Sequence, residues 1–233
     1  MGLILIIETA TEVCSVALVS DGKLLSIRES DRLNSHSAKL AVYIDEVIKE
    51  AGISVKDIEA VAVSKGPGSY TGLRIGVSSA KGLCYALNIP LISVDTLQSM
   101  CFEVIKSNIQ FDSDAILCPM IDARRMEVYS AFYDVNLNII RPVQADIVDE
   151  NIYDNYLSER KVYFFGNGAL KCKNILGENK NAVFVDNIKL SAKGMHAIAE
   201  RKFLEKDFEN TAYFEPFYLK DFVAAKPVVK GLH

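Results

Sequence analysis

The sequence predicts an α/β protein of two lobes, each a mixed β-sheet with flanking helices, and three observations predict it. Strand-length apolar runs alternate with stretches of helical periodicity along the chain. The order strand, strand, strand, helix, strand, helix, strand fills residues 3–94, and the second half restates that order less tidily. Finally, the stretch from Ile7 through Glu8 to Ala17 can be laid without a gap on the stretch from Ile121 through Asp122 to Ala131.

Residues 3–7 form a short β-branched run ending at Glu8. Residues 13–19 and 23–28 make a hairpin around Asp21-Gly22, a strong two-residue turn signal. In residues 35–51, Leu40, Tyr43, Ile44, Val47 and Ile48 recur at helical spacing, and Gly52 supplies the stop. A strand over 59–64 leads into Gly66-Pro67-Gly68-Ser69-Tyr70-Thr71-Gly72-Leu73-Arg74, then a helix to residue 87 and a strand over 90–94. In the second half, strands are expected at 116–121, 127–133, 139–143, 161–165 and 182–185. Helices are expected at 151–159, after Gly168, and at 191–208.

Two readings fit the pairing of the halves: an internal duplication, or two similar hairpins in unrelated places. The matching element order favours duplication, and duplicated mixed-sheet lobes are the ribonuclease-H-like, actin-like architecture. With 233 residues, each lobe has about a hundred residues. The boundary is placed at residue 98, giving lobes 1–98 and 99–233, with the last helix able to pack back on the first lobe.

Composition narrows the function classes. Half of the residues are apolar and 24% are charged, the balance of a globular protein. No apolar run approaches the roughly 20 residues of a membrane span, and no secretory leader is visible. A formal charge of −4 argues against a strongly basic nucleic-acid surface on this chain alone. Cys14, Cys84, Cys101, Cys118 and Cys172 are odd in number, far apart and without a C-x-x-C pair, which points to free core thiols in a reducing, cytoplasmic compartment. The stretch after Asp221, with Lys226, Pro227 and Lys230, is expected to be a mobile tail.

The Gly66–Arg74 segment looks at first like an anion cradle: strand, Gly-Pro-Gly turn, helix start, with Ser69, Thr71 and Arg74 at hand. It fails the phosphate-loop pattern in glycine spacing and in the missing lysine, and Pro67 removes one N–H donor. The helix that follows places Gly72, Gly76 and Ala80 on one face. Glycine in a helix costs about 1 kcal/mol relative to alanine, so something should offset it. Packing on the chain's own sheet and contact with another subunit both satisfy that requirement.

Taken together, this glycine segment, Ala80-Lys81-Gly82-Leu83, Ile89-Pro90-Leu91, the Glu8 and His36-Ser37 segments, Asp122-Ala123-Arg124-Arg125 and Pro216-x-Tyr218-Leu219 resemble the TsaB (YeaZ) family of tRNA threonylcarbamoyladenosine biosynthesis proteins, a glycoprotease-like (peptidase M22) group. The resemblance implies an actin-like (ASKHA) fold and a non-catalytic subunit. Its implied partners are a metal-bearing TsaD paralogue and a TsaE-type ATPase, with a homodimer when alone and tRNA met through the complex. It implies a partner interface on the two first-lobe helices, through Leu40, Tyr43, Ile44 and Val47 on one and Gly72, Ile75, Gly76, Ser79, Ala80 and Leu83 on the other. The paralogue's H-x-x-x-H metal motif, set after Val94, puts Thr96 and Met100 at the histidine positions. Neither side chain replaces an imidazole on a catalytic transition metal, so no metal or other cofactor is expected.

Members of the family usually carry aspartate where this chain has Glu8. Glu8, Asp122 and Arg124 form a possible vestigial cleft between the lobes; alternatively the two carboxylates cap the turns that follow their strands. His36 is read as an ordinary polar residue of a first helical turn, and Arg124 with Arg125 as a solvated pair or a contact to RNA or a partner. Three rival functions stand beside the subunit reading: a metallopeptidase, which lacks ligands, a kinase of actin-like fold, which lacks the glycine-rich phosphate hairpin after the first strand, and a nuclease, whose candidate carboxylates Glu8, Asp95 and Asp122 no spacing rule clusters for two metals.

Overall fold

The computed structural model describes residues 2–30, 36–107 and 109–220. The expected tail after Asp221, and Ser35 at the expected start of the first helix, lie outside the described residues. Ten strands form two five-stranded mixed sheets.

The first sheet has the order β3-β2-β1-β4-β5, from β1 (Ile4–Glu8), β2 (Cys14–Ser20), β3 (Lys23–Ser30), β4 (Ala60–Gly66) and β5 (Leu91–Asp95). β1, β2 and β3 run antiparallel as a meander, and β1, β4 and β5 run parallel. Asp21 and Gly22 both take positive φ, +52° and +73°, the geometry that twists a two-residue hairpin correctly. α1 (His36–Glu50) and α2 (Tyr70–Leu87) cover one face, where Leu40, Val47, Ile48, Val77, Ala80 and Cys84 pack on Leu5, Ile7, Val16, Val61 and Val63. α1 gives way to Gly52 at φ +68°, and α2 stops at left-handed Asn88.

The second sheet repeats this plan. β6 (Ile116–Asp122), β7 (Glu127–Tyr133), β8 (Ile139–Ile147), β9 (Val162–Phe165) and β10 (Ala182–Val185) stand in the order β8-β7-β6-β9-β10, with the same parallel and antiparallel senses. Glu8 and Asp122 each end the central strand. Gly66 and Gly166, each just past or at the end of the neighbouring parallel strand, both take positive φ, +114° and +97°. The halves are thus alike in topology, but the gapless alignment is not right in detail. Glu8 faces Ser15 across its hairpin, whereas Asp122 faces Val128, so the second turn is one residue shorter. α4 (Asp154–Leu157) is a single turn rather than the longer helix expected at 151–159, and β8 continues past residue 143 to Ile147.

Each half also places a helix on the other half's sheet. α3 (Thr96–Ile105), which sequence reading did not pick out, starts directly from β5 with Asp95 as its cap. It packs Leu97, Met100, Cys101 and Val104 on Leu117, Ala131 and Phe165 of the second sheet. The other face of that sheet is covered by α4 and α5 (Ala169–Leu176). The helix expected at 191–208 is a 3-10 turn (Ala192–Met195) followed by α6 (His196–Glu205). These press Ala192, Met195, Ile198 and Ala199 on Ile4, Ile6, Ile92 and Val94 of the first sheet. The expected boundary at residue 98 therefore falls inside α3.

After α6 the chain runs back along the first lobe as a strap. Glu209 bridges to Leu91, Lys81 Nζ donates to the carbonyls of Ala212 and Phe214, and Phe217 N–H donates to Lys65 O (2.7 Å).

Candidate functional site

Between the lobes lies an open cleft of about 880 Å³. The first lobe supplies the turn after β1 (Ala10, Thr11, Glu12), His36 and Ser37 at the start of α1, and the start of α2. The second supplies Asp122, Arg124, Arg125, Glu127, Tyr129 and Asn167, and the strap closes one side with Tyr218 and Lys220. Two polar links join the walls and a third holds one of them in place within the second lobe. Asn167 Nδ2 donates to Glu12 Oε2 (2.9 Å), Asp122 N–H donates to Asn167 Oδ1 (3.0 Å), and Lys220 pairs with Glu127.

The structure shows why the Gly66–Arg74 segment is glycine-rich. A methyl group at Gly68 would lie 2.4 Å from Ala10 O, at Gly72 2.1 Å from Thr9 O, and at Gly76 2.2 Å from Thr9 Oγ1. The turn after β1 is pressed into the first turns of α2, and no side chain fits between them. Three N–H groups of this segment are engaged within the chain: Ser69 N–H donates to Ala10 O of that turn (2.7 Å), Gly72 N–H to Ser69 Oγ as the cap of α2 (3.2 Å) and Gly66 N–H to Thr96 Oγ1 at the start of α3 (3.1 Å). The small-residue stripe Gly72, Gly76, Ala80 is buried against the chain's own first lobe, which corrects its assignment to a partner interface.

Leu40 and Val47 are likewise core residues and cannot meet a partner. Of the ten interface residues expected, Tyr43, Ile44, Ile75, Ser79 and Leu83 keep partial exposure. Beside them on the outer side of α2 stand exposed Ser78, Gly82 and Ala86, spaced i, i+4, i+8, with Tyr85 88% exposed. A methyl group on Gly82 would meet nothing within 4 Å. Unlike Gly72 and Gly76, this glycine has no close neighbour among the described residues that would require it.

Glu8 and Asp122 occupy equivalent positions in opposite environments. Each carboxylate accepts from the backbone N–H two residues on, Glu8 from Ala10 (2.6 Å) and Asp122 from Arg124 (2.9 Å), so both cap turns. Glu8 has no exposed surface and does not line the cleft, a correction to the expected trio; Asp122 and Arg124 do line it. Ser64 Oγ donates to Glu8 Oε1 (2.9 Å), while Glu8 Oε2 has no partner among the described residues. Burial pushes its carboxyl up to about 7. Asp122 is open to the cleft and pairs with Lys171.

Thr96 and Met100 do structural work. Thr96 is fully buried at the start of α3 with its hydroxyl on Gly66 N–H, and Met100 packs its sulfur beside Gly166. Asp95 caps α3 through Leu97 and Gln98 N–H, and lies apart from Glu8 and Asp122 in role. His36 is buried with Nε2 3.3 Å from Val13 O. No group of three or more His, Cys, Asp or Glu side chains able to hold a metal occurs among the described residues. All five cysteines are buried free thiols, held protonated by desolvation at Cys14, Cys84, Cys101, Cys118 and Cys172 alike. No helix among the described residues is long and apolar enough to cross a membrane. Sequence reading missed Tyr129 and Tyr70 as cleft residues, because strand periodicity and a helix start explain each without a ligand; Ser69, considered for an anion cradle, does line the cleft.

Comparison with known proteins follows the same lines. The family model for TsaD, tRNA N6-adenosine threonylcarbamoyltransferase, matches residues 31–229. The chain is 32% identical over 228 residues to the tRNA threonylcarbamoyladenosine biosynthesis protein TsaB of Escherichia coli (strain K12), covering 96% of each chain. Among solved structures, YeaZ from Pseudomonas aeruginosa superposes with a TM-score of 0.80 at 21% identity, over 94% of this chain and 100% of that one. The inorganic polyphosphate/ATP-glucomannokinase of Arthrobacter sp. strain KM superposes with a TM-score of 0.51 at 11% identity over 88% of this chain and 100% of that one, a likeness of fold alone.

Proposed function

The chain belongs to the TsaB (YeaZ) family, and from that premise we propose that it acts in tRNA threonylcarbamoyladenosine biosynthesis as a non-catalytic subunit that holds and activates a TsaD-like partner. A TsaE-like ATPase completes the set in this reading, tRNA is met through the assembly, the compartment is the cytoplasm, and the chain pairs with itself when the partner is absent.

The observation that carries the reading is the use of Thr96 and Met100. Where the resembled paralogue holds its metal, this chain spends one side chain on a backbone N–H and the other on core packing. In this reading, the chemistry of that position comes from another subunit. The surface for such a subunit is the outer side of α1 and α2. Tyr43, Ile44, Ile75 and Leu83 are half-exposed apolar groups there, and Gly82 leaves a gap that lets a second helix approach. Gly82 carries the helical cost of glycine, about 1 kcal/mol relative to alanine, with no packing among the described residues to offset it. A close helix–helix contact supplies that offset.

Reconstitution tests the reading. Threonylcarbamoylation of an unmodified tRNA transcript should require this chain together with the TsaD-like protein and the ATPase, and this chain alone should give none. Full modification in its absence, or turnover by the chain alone, sinks the proposal.

A further inference from the structure

Resting on the reading above, that the assembly acts on tRNA, we propose that the interlobe cleft of this chain binds a single-stranded stretch of RNA, its phosphates on Arg124 and Arg125 and its bases against the tyrosines of the rim.

Charge within the cleft is not balanced evenly. Each carboxylate on the wall has a partner: Asp122 has Lys171, Glu127 has Lys220, and Glu12 has the Asn167 amide. Arg124 and Arg125 are exposed, and neither guanidinium has a hydrogen bond or ion pair among the described residues. Among the described residues these two cleft charges are without a hydrogen-bond or ion-pair partner, on a chain whose net charge is negative. Attraction for an anion is therefore local to this pair.

The backbone singles out the same residues. Arg124 and Arg125 are consecutive left-handed residues, φ +68° and +46°, in the tight turn between β6 and β7. Glycine or asparagine sits there with less strain than a long side chain. The two arginines strain the turn, and among the described residues neither side chain makes a hydrogen bond or ion pair that would offset the strain. Such outliers concentrate where a ligand uses them.

The rim supplies the second half of the recognition. Tyr129 from β7 and Tyr218 from the strap line the cleft with Tyr70. The Tyr70 and Tyr218 rings are 4.9 Å apart, and the Arg74 guanidinium lies 4.1 Å from the Tyr70 centroid with Nε on Tyr218 Oη (3.3 Å). The rings are thus held in place before any ligand arrives. Fixed aromatic faces beside cationic side chains are the platform on which single-stranded bases stack, with little regard to sequence.

A free nucleoside di- or triphosphate fits less well. Its clustered phosphates call for converging backbone N–H groups, and those of Gly66, Ser69 and Gly72 are already engaged. Singly charged diesters spaced along a strand suit two separate guanidiniums. A cleft of about 880 Å³ is also far larger than one phosphate.

The test is fluorescence anisotropy of the full chain with a labelled single-stranded RNA decamer at low salt, with ATP and a duplex of the same sequence as competitors. The wild type should bind the single strand, and neither competitor should displace it at equal concentration. The variant carrying both Arg124→Gly and Arg125→Gly should bind at least tenfold more weakly while melting no lower than the wild type. Its salt slope should be shallower by about 1.4, from roughly 0.7 per phosphate contact on a single strand. Tyr218→Ala should weaken binding about fivefold and leave the slope unchanged. Absence of binding by the wild type, unchanged affinity in the double variant, or equal competition by ATP overturns the assignment. Unchanged RNA affinity in the double variant, with tRNA modification still dependent on the chain, removes the cleft assignment and leaves the subunit reading standing. Modification that proceeds without the chain removes the subunit reading by itself.

Discussion

The side chain of Thr9 occupies the space that a side chain at Gly76 would need: a methyl group built there lies 2.2 Å from Thr9 Oγ1. That hydroxyl is buried without a hydrogen-bond partner among the described residues. The contact is a matter of shape, and it decides what a substitution on this helix can report.

Gly76→Ala should destabilise the fold by about 1–3 kcal/mol through overpacking. In a Thr9→Ala background the offending oxygen is gone, and most of that loss should be recovered. Gly72→Ala is the control, because its methyl would meet the Thr9 carbonyl oxygen at 2.1 Å, which no side-chain truncation moves. Urea unfolding of the single and double variants measures the coupling. A cycle in which Thr9→Ala rescues both glycine substitutions equally contradicts the geometry.

A pairing surface on α2 has to be probed on its other side. Gly82→Arg places a long, charged side chain where nothing lies within 4 Å, so the monomer should keep its stability to within about 1 kcal/mol, helped by the loss of a helical glycine. Association should fail. Sedimentation velocity and pull-down with the TsaD-like partner read the two halves of this outcome, and normal pairing by the variant would place the contact elsewhere.

Glu8 makes stability depend on pH. Its folded carboxyl is pushed up to about 7, above the ordinary value of 4.5. Below 4.5 it is neutral whether the chain is folded or not. As the pH rises from there to about 7, the unfolded chain releases the proton first, and stability falls by about 3 kcal/mol before levelling. Glu8→Gln removes this ionisation. Urea unfolding at pH 5 and pH 8 should therefore show a drop in the wild type roughly 2–3 kcal/mol larger than in the variant. Parallel pH profiles would show that Glu8 does not titrate as its burial requires.

Thr96 supports the turn at Gly66. Thr96→Val keeps the shape and leaves the Gly66 N–H buried without an acceptor, a loss of about 1–3 kcal/mol. Thr96→Ser restores the oxygen and should be close to wild type. Amide exchange at Gly66 should accelerate in the valine variant alone.

Much of this architecture is legible in the sequence. Asp21-Gly22, Gly52 and the β-branched runs announce their elements because backbone geometry limits which residues serve there. α3 is the instructive miss: Leu97, Met100, Cys101 and Val104 carry helical spacing, but the helix begins at the last residue's edge of β5 with no intervening loop to mark it. The site was harder to read. Gly72, Gly76 and Ala80 form a smooth stripe on paper, and only the path of the turn after β1 reveals that Thr9 fills it. Gly82 carried the same propensity signal, but a sequence does not say which side of a helix faces outward when both sides bear small residues.

The exchange of α3 and α6 between the sheets has a consequence for synthesis on the ribosome. Ile4, Ile6, Ile92 and Val94 all precede the groups that cover them, Met195, Ile198 and Ala199, by about a hundred residues or more. From the completion of β5 at Asp95 until α6 is made, one face of the first sheet has no cover. A ribosome stalled before residue 190 would present a sticky, half-finished sheet rather than a folded first lobe.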